Sequence, residues 1–234
     1  MINITQNILS EHDRIKLYNQ CRDVTNDFQR HDRDHGYQHG RKFTAICKHK
    51  SINCITERHA PFKPLLDKCL HSDCNIFVMF VLCMYEHAEL PIHIDNTLSL
   101  SPPGGIPVID YASVPSFINI PTTPRRIMIY YLDIPEDMRG GELHIIQDDA
   151  DETVVAPKTN TLAEIPGDLY HGVSKIVSNN NSCRVAIVFE EYNISALLLR
   201  RFKDIDFNNP VVGYSGLDDI NDPLIESYIP YSIY

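Results

Sequence analysis

The hydrophobic positions of this sequence change from a helical to an alternating pattern at about residue 75. Before that point, apolar residues recur at helical spacing between Ile15 and Phe28, and Ser10 stands where a helix-capping residue would lie. A second short helix is predicted over residues 64–71. The polar stretch of residues 30–61 is rich in histidine and glycine, and we expect it to be irregular.

Beyond residue 75 the chain shows strand-like runs separated by turn signals such as Pro-Gly-Asp at 166–168. Eight consecutive strands are typical of a β-sandwich or jelly roll, and we therefore expect a mainly β fold with flanking helices. The predicted strands are residues 76–85, 90–98, 126–133, 141–147, 153–156, 161–165, 170–177 and 183–191.

The length of 234 residues suits one structural domain with a sizeable core. We divide it into an N-terminal helical and irregular support region, 1–74, and a double-stranded β-helix (jelly roll) core, 75–192. Residues 193–234 follow as a C-terminal helix, 194–202, and an extended tail.

Composition and net charge limit the possible binding partners and indicate the cellular compartment. A net charge of −10 argues against nucleic acid, because phosphate binding needs a basic surface. The seven cysteines are odd in number and never form Cys-x-x-Cys, which favours free thiols in a reducing compartment. The N-terminus lacks signal-peptide character, and the longest apolar run, residues 76–85, is too short to span a bilayer. We therefore expect a cytoplasmic protein without a membrane partner.

Three His-x-acid motifs occur, and their context separates them. Residues 71–73 lie at a predicted helix end and residues 87–89 in a connection between strands, so ordinary structural roles explain both. His93-Ile-Asp95 instead lies within a predicted strand, where alternation sends His93 and Asp95 to one face. An imidazole and a carboxylate buried together are costly unless they are paired or bind a metal.

Two later residues extend this metal hypothesis. His171 follows the tight turn Pro-Gly-Asp and stands at the start of a predicted strand. This second histidine would complete the two-histidine, one-carboxylate facial triad of non-haem Fe(II) oxygenases. Arg184 begins an otherwise apolar strand. An inward-facing arginine needs a buried anion, and a dicarboxylate cosubstrate would supply one.

Several motifs occur in one order along the β core: His93-Ile-Asp95-Asn, Ile-Tyr-Tyr131-Leu-Asp, Gly140-Gly141-Glu-Leu-His-Ile, His171-Gly-Val and Arg184. In this combination they resemble the prolyl 4-hydroxylase-type branch of the Fe(II)/2-oxoglutarate dioxygenases. The resemblance extends from about residue 85 to residue 192, which is roughly the catalytic half of the chain.

The resemblance implies that His93, Asp95 and His171 bind Fe(II), with 2-oxoglutarate as cosubstrate and O₂ as oxidant. It further implies hydroxylation of a substrate C–H bond, because related halogenases carry a small residue at the position of Asp95. Desaturation and ring formation remain open on the same centre.

The resemblance also implies three residues around the cosubstrate. Arg184 would clasp the distal carboxylate of 2-oxoglutarate, and the Tyr131 hydroxyl would donate to the same group. Tyr85 resembles a further active-site tyrosine.

Other features leave alternatives open. The proline-rich connection 98–124 is either a lid over the site or a surface loop. His144 either reaches the site or is a hydrogen-bonded histidine of the surface or core. The histidines at 31, 35 and 39 are spaced like metal ligands on a helix, but Gly36 and Gly40 disfavour a continuous helix. We therefore favour a polar loop over a second metal site.

Three functions compete on this sequence. The preferred one is oxidation of a small metabolite or amino-acid-like substrate, and the second is a prolyl-type hydroxylase that acts on a peptide or protein. The third is a cupin-like metal-binding sensor without turnover, which would have no need of both Arg184 and Tyr131. The oligomeric state is left open.

Overall fold

The computed structural model describes residues 1–28, 40–95, 97–98, 123–148, 151–178, 182–200 and 202–207. Within these ranges the strands are β1 (Asn3–Gln6), β2 (Gly40–Lys48), β3 (Ile76–Met84), β4 (Leu90–His93), β5 (Arg126–Asp133), β6 (Leu143–Asp148), β7 (Asp151–Val155), β8 (Thr161–Pro166), β9 (Tyr170–Val173), β10 (Arg184–Tyr192) and β11 (Ile205–Phe207). The α-helices are α1 (Glu11–Phe28), α2 (Ile52–Arg58), α3 (Lys63–Cys69) and α4 (Ala196–Leu199).

The strands form two antiparallel sheets. The major sheet has seven strands in the order β1-β8-β5-β10-β3-β2-β11, and the minor sheet has four in the order β4-β9-β6-β7. A pocket between the sheets is lined by side chains from both of them. This arrangement confirms the predicted mainly β jelly roll with flanking helices.

The central strands of the major sheet are buried on both faces, and alternation divides their side chains between two environments. On β3, Met79, Val81 and Cys83 pack in a core that includes residues of the N-terminal helices, whereas Phe80 and Leu82 face the pocket. β10 alternates in the same way. A strand that is buried on both faces therefore appears in the sequence as a continuous apolar run, because neither face is exposed to water.

Helix α1 covers the major sheet as its pattern predicts. Leu17, Cys21 and Val24 are buried at helical spacing within the same core. The backbone N–H of Asp13 donates to Ser10 Oγ at 3.1 Å, which confirms Ser10 as the capping residue of this helix.

The prediction of irregular structure over residues 30–61 is wrong where the structure describes it. Residues 40–48 form β2, which pairs with β3 along its whole length and with β11 on its other side. It is followed by α2, which lies between two 3₁₀ turns at His49–Ser51 and Ala60–Phe62. The polar residues of β2 hid the strand pattern, because Thr44 and Lys48 are buried. The ammonium group of Lys48 is held by Asp204 at 3.0 Å.

Other boundaries differ from the predicted ones. β4 ends at His93 rather than at 98, β9 ends at Val173 rather than at 177, and α4 is shorter than the predicted 194–202. Strands β1, β2 and β11 join the sheet from outside residues 75–192. The histidines at 31, 35 and 39, residues 99–122 of the predicted lid and the tail beyond 207 lie outside the described residues.

In the described part of the chain, no helix combines the length and the apolar character that crossing a membrane requires. The seven cysteines all lie in described parts of the chain and form no disulfide; Cys54 is exposed, whereas Cys21, Cys47, Cys69, Cys74 and Cys83 are buried.

One buried carboxyl group makes the stability of this fold depend on pH. Glu191 lies near the end of β10, on the helix-covered face of the major sheet, and is fully buried. It accepts a hydrogen bond from the backbone N–H of His71 at 2.8 Å. Arg126 Nη1 lies 3.4 Å from its second oxygen. Burial nevertheless dominates and raises the pKa of Glu191 to about 7.

We predict that Glu191→Gln flattens the pH dependence of folding. The Glu191 carboxyl binds a proton more tightly in the folded than in the unfolded protein. Its contribution to the free energy of unfolding is therefore lost as pH rises from the unfolded pKa near 4.5 to about 7. The amount is at most about 3 kcal/mol. Denaturant unfolding of the metal-free protein between these pH values measures it. Asp67→Asn, at an exposed carboxylate of α3, is the control; equal slopes in wild type and Glu191→Gln would contradict the prediction.

Candidate metal centre

Two histidines face each other across paired strands of the minor sheet. His93 is the last residue of β4 and His171 the second residue of β9, and the antiparallel register places them directly opposite each other. Their imidazole rings have centroids 4.6 Å apart. The pairing of β4 with β9 therefore brings together two side chains that lie far apart in the sequence.

The third candidate ligand lies just beyond the end of β4. Asp95 Oδ1 is 3.2 Å from His93 Nε2, and Asp95 Oδ2 is 3.4 Å from His171 Nε2. One ligand atom from each of the three residues lies within 4.8 Å of the others, and among the described residues this is the one such group. Neighbouring ligands of an octahedral ion with bonds of about 2.1 Å lie about 3 Å apart, so the three residues fit a facial triad.

Backbone carbonyls orient both imidazoles. His93 Nδ1 lies 2.7 Å from the carbonyl oxygen of Pro91, and His171 Nδ1 lies 3.1 Å from that of Leu169. A carbonyl oxygen only accepts, so each Nδ1 carries a proton and donates it. In the neutral imidazoles the lone pairs then belong to the two Nε2 atoms that face Asp95, which is the tautomer that metal ligation requires.

The electrostatics of the group keep the carboxylate charged. Burial alone would raise the pKa of Asp95, but hydrogen bonds with His171 and His93 outweigh it and hold this pKa well below its usual range. The contact with Asp95 raises the pKa of His93. The side chain of His93 is 39% exposed and that of His171 only 7%, so the group is accessible to small molecules from the His93 side.

A buried guanidinium lies in the same pocket. Arg184, the first residue of β10, is 2% exposed, and its guanidinium carbon lies 5.1 Å from the ring centroid of Tyr131 on β5. Arg184 Nε and the Tyr131 hydroxyl are buried without a hydrogen-bond partner among the described residues. Burial lowers the pKa of Arg184 and raises that of Tyr131. An anion that accepts from both groups would remove this cost, and a carboxylate has the matching geometry.

The pocket joins the metal ligands to Arg184 and is otherwise largely apolar. Its lining comes from strands of both sheets and from the segment after β4. The lining residues are Phe80, Leu82, Met84, Leu90, His93, Asp95, Thr97, Ile129, Leu143, His171, Val173, Arg184, Ala186, Val188 and Glu190.

The expectation that Tyr85 belongs to the active site requires correction. Tyr85 follows β3 on the odd-numbered side, and it packs partly buried against the core of Val81 and Cys83 on the helix-covered face. The even-numbered residues of β3 face the pocket instead. Alternation along a strand decides the face on which a side chain lies, and the resemblance of motifs that implied Tyr85 does not include it.

The remaining candidate histidines lie away from the metal group. His144 points to the outer side of β6, where its Nδ1 lies 2.6 Å from Glu152 Oε1. Asp73 pairs with Arg126 at 2.8 Å, and His87 occupies an exposed turn with a positive φ of 71°. The structural roles expected for the two other His-x-acid motifs agree with these positions.

Sequence reasoning missed one charged residue of the pocket, Glu190. It is 1% exposed and lies on the same face of β10 as Arg184. The signal was available, because residues 184, 186, 188 and 190 share a face by simple alternation.

Comparisons with known proteins bear on the fold. No protein-family model matches the sequence, and no curated protein matches it. Solved structures do match: a Pseudomonas putida prolyl-4-hydroxylase aligns with a TM-score of 0.50 and 13% identity over 83% of this chain and 93% of the other. A Trichoplax adhaerens prolyl hydroxylase in complex with a hypoxia inducible factor peptide aligns with a TM-score of 0.50 and 14% identity, over 82% of this chain and 83% of the other. The chain therefore has the fold of the prolyl 4-hydroxylases, which confirms the resemblance of the motifs at the level of fold.

We expect His93→Ala and His171→Ala each to abolish Fe(II) binding, since each removes one of three protein ligands. Metal content after anaerobic loading and dialysis should fall from near one ion per chain to near zero. His144→Ala, at a histidine outside the pocket, is the matched control and should retain the metal. Full metal content in either ligand variant would show that the ion binds elsewhere.

Gly172 is the residue that lets the two histidine-bearing strands approach each other. A Cβ at this position would lie 2.7 Å from the backbone oxygen of Leu90 and 3.0 Å from the backbone nitrogen of Ile92. Both atoms belong to β4, so any side chain at Gly172 has to push β4 away from β9.

Gly172→Ala should therefore weaken metal binding by about tenfold or more while the jelly roll stays folded, because ligand geometry tolerates shifts of only about 0.5 Å. Titration with Mn(II), followed by electron paramagnetic resonance, measures the affinity. Val154→Ala, at an exposed position of the same sheet, is the control. An unchanged Mn(II) affinity in a folded Gly172→Ala protein would contradict this role of the glycine.

Proposed function

We propose that this protein is an Fe(II)- and 2-oxoglutarate-dependent dioxygenase that hydroxylates an unactivated C–H bond and releases succinate and CO₂. The observation that carries the proposal is the convergence of His93, Asp95 and His171 in one pocket with the buried guanidinium of Arg184. The prolyl 4-hydroxylase fold supports it.

In this proposal His93, Asp95 and His171 hold Fe(II). The bound iron, together with 2-oxoglutarate and O₂, supplies the oxidising power for C–H cleavage, and the protein supplies position and environment. The carbonyl groups of Pro91 and Leu169 keep both imidazoles in the ligating tautomer.

Arg184 and Tyr131 bind and orient the cosubstrate. The guanidinium donates to the distal carboxylate of 2-oxoglutarate, and the Tyr131 hydroxyl donates to the same group, which would satisfy both atoms that lack partners. Ile129, Leu143 and Val188 line the pocket with apolar surface. Exclusion of water strengthens the pairing of the guanidinium with a carboxylate.

For the substrate we propose a small metabolite or an amino-acid-like molecule that enters this pocket. The alternative is a peptide or protein, and the Trichoplax adhaerens prolyl hydroxylase that shares the fold was solved with a peptide. Free amino acids, metabolites and proline-bearing peptides are screened for stimulation of succinate release. Mass spectrometry then looks for products that gain one oxygen atom or lose two hydrogen atoms. Stimulation by peptides alone would favour the alternative.

A cupin-like sensor without turnover is the rival from another class. The buried Arg184–Tyr131 pair argues against it, because a metal sensor has no need of a site for a dicarboxylate. Anaerobic addition of 2-oxoglutarate to the Fe(II)-loaded protein should produce visible charge-transfer absorbance. An iron-loaded protein without this absorbance would support the sensor.

We predict that Arg184→Ala retains Fe(II) but loses affinity for 2-oxoglutarate by at least about tenfold, because a buried charge-assisted pair is removed. The affinity of Arg184→Lys for 2-oxoglutarate should lie between those of the wild type and Arg184→Ala, since lysine keeps the positive charge but lacks the planar guanidinium. Anaerobic titration of the charge-transfer absorbance measures the affinity. Unaltered affinity for 2-oxoglutarate in Arg184→Ala would overturn the assignment.

A further inference from the structure

Asp95 is the one candidate metal ligand whose position the strand pairing does not fix. His93 and His171 stand opposite each other in the ladder of β4 with β9, and backbone carbonyls orient both imidazoles. β4 ends at His93, so Asp95 lies beyond this ladder. In the described part of the chain, the polar contacts of Asp95 are those with the two imidazoles. The position of the carboxylate therefore depends on the segment of chain that carries it.

This segment is bonded to the major sheet two residues beyond Asp95. Thr97 Oγ1 donates to Glu190 Oε1 at 2.7 Å. Leu98, the next residue, is 2% exposed and packs in an apolar cluster that includes Phe80. Two residues of chain span at most about 7 Å, so a shift of Thr97 has to move Asp95 as well.

Glu190 is itself held firmly on both of its neighbouring strands. It lies in β10 opposite Val78 of β3 and Ile127 of β5. Its side chain is 1% exposed, and Oε2 accepts a hydrogen bond from the Tyr192 hydroxyl at 2.6 Å. The bond from Thr97 needs only an accepting oxygen, which a carboxyl group offers whether it is ionised or protonated. The contact of Glu190 with Thr97 is therefore independent of the charge on Glu190.

We infer that Glu190 is a positioning residue of the metal centre, which holds the ligand Asp95 in place through Thr97. This inference rests on the proposed function, and it adds a residue that lies outside the group of three ligands. Hydrogen-bond partners behind metal ligands orient them, and their loss typically lowers metal affinity about 10- to 100-fold. β10 thus contributes to the site near both of its ends, with Arg184 at its start and Glu190 near its end.

Variants of Thr97 test the hydrogen bond and leave Glu190 unchanged. Thr97→Val keeps the shape of the side chain but removes the hydroxyl group, so Mn(II) affinity should fall about tenfold or more. Thr97→Ser keeps the donor and should restore most of the affinity. Mn(II) titration of the metal-free proteins, followed by electron paramagnetic resonance, measures both. Thr56→Val removes a hydroxyl hydrogen bond on α2 outside the pocket, and as the matched control it should bind Mn(II) like the wild type.

The resonance spectrum of bound Mn(II) separates positioning from general stability. At saturating Mn(II), the spectrum of Thr97→Val should differ from that of the wild type, because Asp95 meets the ion in a changed geometry. A purely structural role of Thr97 would lower the thermal stability of the metal-free protein and leave both the spectrum and the affinity unchanged.

A double-mutant cycle shows whether Thr97 and Glu190 act through one bond. Glu190→Leu removes the accepting oxygen, so it should lower Mn(II) affinity as Thr97→Val does. The variant that carries both substitutions should bind no more weakly than the weaker single variant, because the bond is already lost. Thermal unfolding of the metal-free proteins verifies that each variant folds. If Glu190→Leu does not fold, the comparison of Thr97→Val with Thr97→Ser decides alone.

The outcomes separate this inference from the proposed function. A wild-type protein that binds no metal, or that keeps its metal in His93→Ala and His171→Ala, contradicts the metal centre and with it the proposed function. A protein that binds Mn(II) through these histidines, but equally tightly in Thr97→Val, overturns the role of Glu190 alone. A Thr97→Ser variant as weak as Thr97→Val, or losses that add up in the double variant, likewise overturn it.

Discussion

The structure depends on the antiparallel pairing of β4 with β9. This register sets His93 opposite His171, and Asp95 follows where the chain leaves the strand, so that one local pairing creates the whole candidate metal group. The pairing is short, and it is irregular between Leu90 and His93. Such a short ladder needs the larger sheet, which packs across the pocket and contributes Arg184, to keep it in place.

The two faces of the major sheet divide structure from chemistry. Its helix-covered side contains an extensive apolar core, whereas its pocket side carries the charged residues Arg184 and Glu190 among apolar neighbours. Buried ionisable groups are costly, and two of them lie on the face that we propose binds ligands. The buried Glu191 lies next to Glu190 on the opposite face, where Arg126 and a backbone amide satisfy it.

Much of this organisation was predictable from the sequence, and the failures have physical causes. β5 appears at the predicted bounds of 126–133, because its apolar run ends at clear turn signals. Alternation brought His93 and Asp95 to one side, although β4 ends before Asp95. β2 was missed because tertiary pairing buries its polar residues, and Tyr85, which only the resemblance implied, packs against the helix-covered core. Glu190 was overlooked because the alternation that places residues 184, 186, 188 and 190 on one face was not followed to the end of the strand.

The alternation of β10 also limits how this wall of the pocket can vary. Insertion of a single residue between positions 184 and 190 would turn every following side chain to the other face, so that Phe189 would take the place of Glu190 in the pocket. A single inserted residue therefore preserves the pocket face only where a bulge absorbs it, and the register between β10 and β5 already shifts in this way between Val185 and Ala186. The position of Glu190 relative to Arg184 along this wall is therefore tied to the register of β10 in the major sheet.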